Sequence, residues 1–263
     1  MSIPHDHYLK FTTREVTDET LAFHAKGNFV IHRATRHLST LHHIPLKELK
    51  KLTGNELKLN IFTSEKGHRG EALQPLRQNH SLHRNNSCNW FDEREMQFET
   101  VKALLSPLLV KGGSSYRRGY PSGGALYPIE VFCINLNNKI KHWPTESSAL
   151  HLLPSSRTLE AYSPKINIDL LSNAITQEHD NIGSPSLAII YFIYLPKAIF
   201  KYRYRGYRLA LMEAGSMYML TDLRCKELQL HSRPWSGFTD YEVTKELNLN
   251  PALFLPACIQ LIG

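Results

Sequence analysis

Cysteine is scarce in this 263-residue chain: Cys88, Cys133, Cys225 and Cys258 lie far apart, with no C-x-x-C among them. That distribution argues against a zinc knuckle, a redox dithiol or a disulfide framework and fits a reducing cytoplasm. Long apolar runs are missing as well. The longest, around Leu187 to Leu195, falls well short of the ~20 residues of a membrane helix. Met1 to His7 carries no apolar signal core, so a soluble protein with no membrane partner is expected. The 14 histidines are dispersed, and His42-His43 and the His5/His7 pair lack the i, i+4 helical spacing of a two-histidine metal site; no metal is expected. A formal charge of +7 is spread without a helix-turn-helix, RRM or zinc-finger pattern. Nucleic acid is therefore not expected, and a phosphate-bearing cofactor or a partner subunit would use the charge equally well. There is no internal repeat.

What is present is enough apolar material, 42% of residues, for a sizeable core. Residues 1–80 read as an N-terminal extension, with a short amphipathic helix over Leu46 to Leu52 and a polar loop from Thr63 to Asn86 leading into a main domain at 81–263. Within that domain, Met96 to Val110 has helical apolar spacing that Pro107 ends early. Ile129 to Leu136 and Leu187 to Leu195 are apolar and β-branched, as buried strands are. Tyr207 to Cys225 predicts a long helix, Thr239 with Glu242 a capping box, and Ala257 to Ile262 a closing strand. Interleaved helices and strands give an α+β sandwich around one sheet.

Three segments carry chemistry. In Tyr120 to Glu130 (YPSGGALYPIE), Pro121 fixes φ, Ser122 offers a hydroxyl, and Gly123 and Gly124 bare the backbone to a flat ligand. Read alone, a glycine pair before a strand is a turn. In Arg84 to Phe91 (RNNSCNWF), Arg84, Ser87 and Asn89 are the guanidinium, hydroxyl and amide donors a phosphate monoester needs, or else an exposed loop. In Phe200 to Arg208 (FKYRYRGYR), four cations alternate with three tyrosines. Repulsion and partial burial should lower the pKa of Lys201 and make it a usable base. On spacing alone the run reads as readily as a solvated edge strand or a peptide-binding rim. A fourth segment, Arg233 to Asp240 (RPWSGFTD), is a helix lead-in.

The Pro-Ser-Gly-Gly-Ala-Leu-Tyr-Pro run at 121–128 resembles the signature of SagB-type dehydrogenases, a branch of the nitroreductase-like flavoproteins. Lys197 to Met217 is similar to the dehydrogenase subunit of microcin-type thiazole and oxazole synthetases. The resemblance covers Arg84 to Gly263 by motif and order. It implies a three-layer α/β/α sandwich with a mainly antiparallel central sheet and bound FMN. Arg84 and Ser87, with Asn89 where many relatives carry a second cation, would hold the phosphate. Pro121, Ser122, Gly123, Gly124, Ala125 and Leu126 would lie along the ring, and Ser236 and Gly237 against its N5 edge. Lys201 and Tyr202 match the catalytic pair. Met219-Leu220 stands where relatives have Gln-Asn.

The implied activity is FMN-dependent oxidation of thiazoline and oxazoline rings to thiazoles and oxazoles in a ribosomally made precursor peptide. The implied partners are heterocyclase (cyclodehydratase) subunits and a second copy in a homodimer, with each flavin site built across the two-fold. Because the chain ends just after the closing strand, self-association weaker than in tail-bearing relatives is expected. An NAD(P)H-dependent nitro or quinone reductase and a non-catalytic structural subunit of the heterocyclase complex are the alternatives.

Overall fold

The computed structural model describes residues 6–28, 45, 47–48, 73–77, 80–112, 116–162, 166–176 and 182–263. The helix expected over Leu46 to Leu52 lies outside the described residues except for Lys47 and Glu48, as does the first part of the loop expected from Thr63. Met1–Asn28 group with Ser81–Gly263, and Phe29–His80 form a second unit.

The central sheet has six strands: β2 (Ile129–Asn135), β4 (Ala149–Leu153), β5 (Thr158–Ala161), β6 (Leu187–Tyr194), β7 (Ser232–Trp235) and β8 (Phe254–Ile262), in the order β5-β4-β2-β6-β8-β7. Every pairing in it is antiparallel. A separate parallel pair joins β1 (Met96–Gln97) to β3 (Ile140–Lys141). The middle strand β6 is buried at all eight positions, which is why it reads as one continuous apolar run.

Alternation divides the core into two. Val131, Cys133, Ile189 and Tyr191 face a cluster with α3 (Phe98–Leu105), α5 (Leu195–Tyr202) and α6 (Tyr204–Glu227). Phe132, Ile134, Ile190 and Phe192 face the other cluster, with α4 (Ile168–Thr176) and α7 (Asp240–Glu246). Helices on both faces of an antiparallel sheet make the expected three-layer sandwich. Each fully buried Ile or Leu in these layers contributes about 1.5–3 kcal/mol relative to an exposed one.

Local chemistry sets several boundaries. Pro107 ends α3 at Leu105, and the chain continues as a 3-10 turn, Ser106–Leu108. β8 starts three residues before the expected strand, because a bulge that skips Ala257 lets Pro256 sit opposite Phe192. Thr239 is the N-cap residue of α7, but its side chain makes no capping hydrogen bond, so the expected capping box does not form. Among the described residues two further helices precede this body, α1 (Asp6–Leu9) and α2 (Arg14–Gly27). They pack on it through Tyr8 against Phe200 and through a 2.8 Å hydrogen bond between His24 and the Tyr207 hydroxyl. Among the described residues no helix is long and apolar enough to cross a membrane.

Candidate functional site

The basic aromatic run is a helical corner rather than a strand. Lys201 and Tyr202 close α5, Arg203 breaks the path at φ 49°, and α6 begins at Tyr204. Only glycine permits the corner at position 206, since a Cβ there would lie 1.9 Å from the Ala198 carbonyl oxygen. Replacing Gly206 by Ala is therefore expected to push α5 and α6 apart. The loss should be at least about 3 kcal/mol, in the range reserved for severe core strain, and would read as a large fall in thermal midpoint.

This corner brings two of the sequence-predicted segments together. The turn Gly123–Ala125 packs against it, and a Cβ on Gly124 would meet the Tyr202 hydroxyl at 2.6 Å, while one on Gly123 would meet the Leu209 side chain at 2.8 Å. The two glycines thus admit the protein's own Tyr202 and Leu209 to the backbone of the turn. Gly124, Ala125 and Tyr127 all take positive φ, which folds the turn tightly. Lys201 places its ammonium 5.2 Å from the Tyr202 ring centre. It is exposed rather than partly buried, so the desolvation expected for Lys201 falls instead on Lys197, one helical turn earlier. Burial there lowers the amine's pKa, against the opposing pull of Glu130.

Beneath the turn lies a buried ionic network that the sequence reading missed. Glu213 of α6 is 2% exposed. Burial pushes its carboxyl up to about 7, although Ser122, Arg118, Lys197 and the Ile129 amide all pull it down. Arg118 donates to the Tyr120 hydroxyl at 2.8 Å and lies 4.3 Å from the Tyr127 ring centre. Farther along, His151 bridges Glu130 at 3.1 Å and Glu160 at 2.7 Å. Burial alone would lower the His151 pKa, but the two carboxylates raise it. Burial likewise opposes the Glu130 charge, and His151 and Lys197 more than offset it.

The third segment sits at the far end of α6. Arg84 donates from Nε to Asp222, whose side chain is 1% exposed, and from Nη2 to the Ser87 hydroxyl at 3.2 Å. Ser232 donates to the other Asp222 oxygen. Arg84 and Ser87 are thus brought together, with Asn89 exposed nearby in sequence. The Leu209 contact of Gly123 and the Asp222 contact of Arg84 are thirteen positions apart on one helix, about 20 Å at 1.5 Å per residue. Ser236 and Gly237 follow β7. A Cβ on Gly237 would press on the Trp235 ring at 2.9 Å, and Trp235 donates to the Ile175 carbonyl, so this turn is anchored on α4. Among the described residues no cluster of His, Cys, Asp and Glu is arranged to hold a metal ion.

Comparison with known proteins agrees with this architecture. Residues 84–263 match the model of the nitroreductase family. The chain is 33% identical over 257 residues to the microcin B17-processing protein McbC of Escherichia coli, covering 96% of this chain and 92% of that protein. The Escherichia coli microcin synthetase McbBCD complex with truncated pro-MccB17 bound contains a chain that superposes with a TM-score of 0.85 at 33% identity, covering 100% of this chain and 97% of that one. A candidate nitroreductase from Ralstonia eutropha shares the fold, with a TM-score of 0.57 at 17% identity over 74% of this chain and 86% of that one.

Proposed function

The chain belongs to the nitroreductase family, and from that premise we propose that it is an FMN-dependent dehydrogenase that oxidises thiazoline and oxazoline rings in a precursor peptide. It would work beside heterocyclase subunits in a cytoplasmic microcin-type synthetase. The observation that carries this reading is the meeting of Tyr202 with Gly124, which sets the Lys201-Tyr202 pair against the turn. The likeness to McbC and to the McbBCD complex supports the substrate class and the partners.

The residues present fit FMN. Leu209 and Tyr202 pack against Gly123 and Gly124 of the turn, so the fit to the cofactor is carried by the donors at the phosphate end. Arg84 and Ser87 are an exposed guanidinium and hydroxyl, pre-oriented by Asp222, of the kind that pairs with a phosphate monoester. FMN, when bound, supplies the hydride acceptor for ring oxidation. The chain's own part is to hold the azoline with its Cα–H toward a base and to accept that proton at Lys201 Nζ or Tyr202 Oη. The exposed cations Arg203, Arg205 and Arg208 follow directly and offer a basic rim to a peptide. Aromatisation of the ring provides the driving force.

The 20 Å between the two cofactor motifs supports a homodimer in which each flavin takes its phosphate site from one copy and its ring-binding turn from the other. This predicts complementation. Arg84→Ala and Gly124→Val, each binding FMN weakly alone, should recover the parental FMN affinity in a minority of sites when refolded together, because a mixed dimer contains one intact site. Mixing that restores no such sites argues for a site within one copy. The activity itself is tested by incubating the flavin-loaded protein with a heterocyclised precursor peptide. Loss of two hydrogen masses per ring is expected. Oxidation of NAD(P)H by nitro or quinone compounds with no change in the peptide would favour the reductase alternative.

A further inference from the structure

We propose that the open edge of β5 and the apolar cavity beneath it form a docking site for an acidic, extended segment of the precursor peptide, outside the ring being oxidised. That occupant follows from the azoline dehydrogenase reading, whereas the site stands on its own geometry.

β5 is the last strand on its side of the sheet. The Tyr162 N–H donates to the Ala149 carbonyl at 3.1 Å, and the register that sets Glu160 opposite His151 and Thr158 opposite Leu153 turns Glu160 and Thr158 toward β4 in the same phase. The N–H and C=O groups of Leu159 and Ala161 therefore point away from the sheet. Among the described residues no backbone hydrogen bond reaches them. Such a row is a template for one more strand. Beneath it, Leu159 and its opposite number Leu152 join Phe98 and Leu105 of α3 and Leu109 around a cavity of about 300 Å³. That volume is at the lower end for a ligand pocket and leaves room for a large apolar side chain.

The lining sets the chemistry of what enters. Its charged members among the described residues are two exposed cations, Lys102 and Arg157, and no acid lines it. Lys102 shares its charge with Glu99 at 2.5 Å and rests over the Phe98 ring, while no salt bridge among the described residues engages Arg157. In a strand added to β5, residues two apart share a face at a spacing of about 6.6 Å, so an apolar side chain in the cavity has neighbours within reach of the two cations. Carboxylates are favoured there. The footprint is one four-residue edge and one cavity, well short of the roughly 1,200–2,000 Å² of a stable subunit contact, which suits a substrate that must let go between rings. Thr158, opposite Leu153, stands at the end of the sheet where β2 begins just after the cofactor turn, two strand spacings or about 10 Å away. A peptide held on β5 keeps its next ring near the turn at raised effective concentration.

The test joins binding to kinetics on the full-length protein. The binding probe is a short fluorescein-labelled, threonine-rich peptide with one phenylalanine and a glutamate two positions to either side, followed by polarisation. Ala161→Pro deletes one outward N–H and leaves the β4 ladder intact; a second variant, Lys102→Gln with Arg157→Gln, deletes both charges. Each should weaken the probe about fivefold to tenfold, the worth of one backbone hydrogen bond or of two exposed ion pairs. With a heterocyclised precursor peptide each should raise KM by a similar factor and leave kcat at the parental value. Parental affinity for the probe in either folded variant overturns the inference, and the charge variant decides alone if Ala161→Pro does not fold. If only the charge variant weakens the probe and dodecanoate displaces it, the cavity takes a lipid carboxylate instead. A parent that oxidises azoline peptides with KM unmoved in the variants overturns this inference alone. A parent that binds the probe but oxidises no azoline peptide overturns the functional reading and, with it, the precursor as occupant.

Discussion

Lys201→Met and Tyr202→Phe are expected to keep the fold and the flavin spectrum while slowing azoline oxidation about a hundredfold or more, the range that follows loss of a positioned acid or base. The two substitutions remove chemistry with little packing. Lys201 is exposed and makes its one described ring contact with Tyr202 at 5.2 Å. Methionine keeps most of the stem and deletes the amine. Phenylalanine at 202 keeps the ring that Lys201 faces and deletes only the hydroxyl that rests over Gly124. The readout is anaerobic single-turnover bleaching of bound flavin by an azoline peptide. If Lys201→Met bleaches at the parental rate while Tyr202→Phe does not, the base is Tyr202 and Lys201 belongs to the basic rim. Lys197 is the control, because its amine is the desolvated one. Lys197→Met should disturb the Glu130 contact more than the reaction.

The parts of this molecule that were legible in the sequence are those whose residues all say the same thing. β2, β6 and β8 are runs of buried apolar residues, and their strands begin and end within three residues of expectation. β4, β5 and β7 were not legible, since ALHLL, TLEA and SRPW are short and partly polar, and such strands, two of them at the sheet edges, acquire their state from pairing rather than from pattern. The site divides in the same way. Gly124 with Tyr202, and Arg84 with Ser87, were found as motifs, and the structure pairs each. Their separation along α6 was invisible because nothing local encodes it. Glu213 and Asp222 were missed because a lone acid in a helix usually faces water. The available signal was phase: Glu213 lies three residues after Ala210 and four before Met217, on the stripe that faces the core. An acid on that stripe is either paired or perturbed, and these two are one of each.

Arg84→Ala should weaken FMN about tenfold to a hundredfold more than riboflavin, the worth of a charge-assisted bidentate contact. The comparison matters because Arg84 already has work within the fold. Its Nε engages buried Asp222, which also takes the Ser232 hydroxyl, so removing the guanidinium leaves an acid short of its counter-charge. Breaking that pair costs about 3 kcal/mol, the low end for a buried ion pair, because 34% of the Arg84 side chain remains in solvent. If Arg84 serves only Asp222, the damage is to the fold, and FMN and riboflavin weaken together. If it also serves the phosphate, FMN weakens more than riboflavin. Arg84→Lys separates the two roles further. A single ammonium supplies charge to Asp222 or to a phosphate but lacks the fork that reaches Asp222 from Nε and Ser87 from Nη2 together. The lysine variant should therefore recover most of the thermal stability lost in Arg84→Ala while recovering little of the FMN affinity. Equal recovery of both would assign Arg84 to the fold alone and move the phosphate site elsewhere.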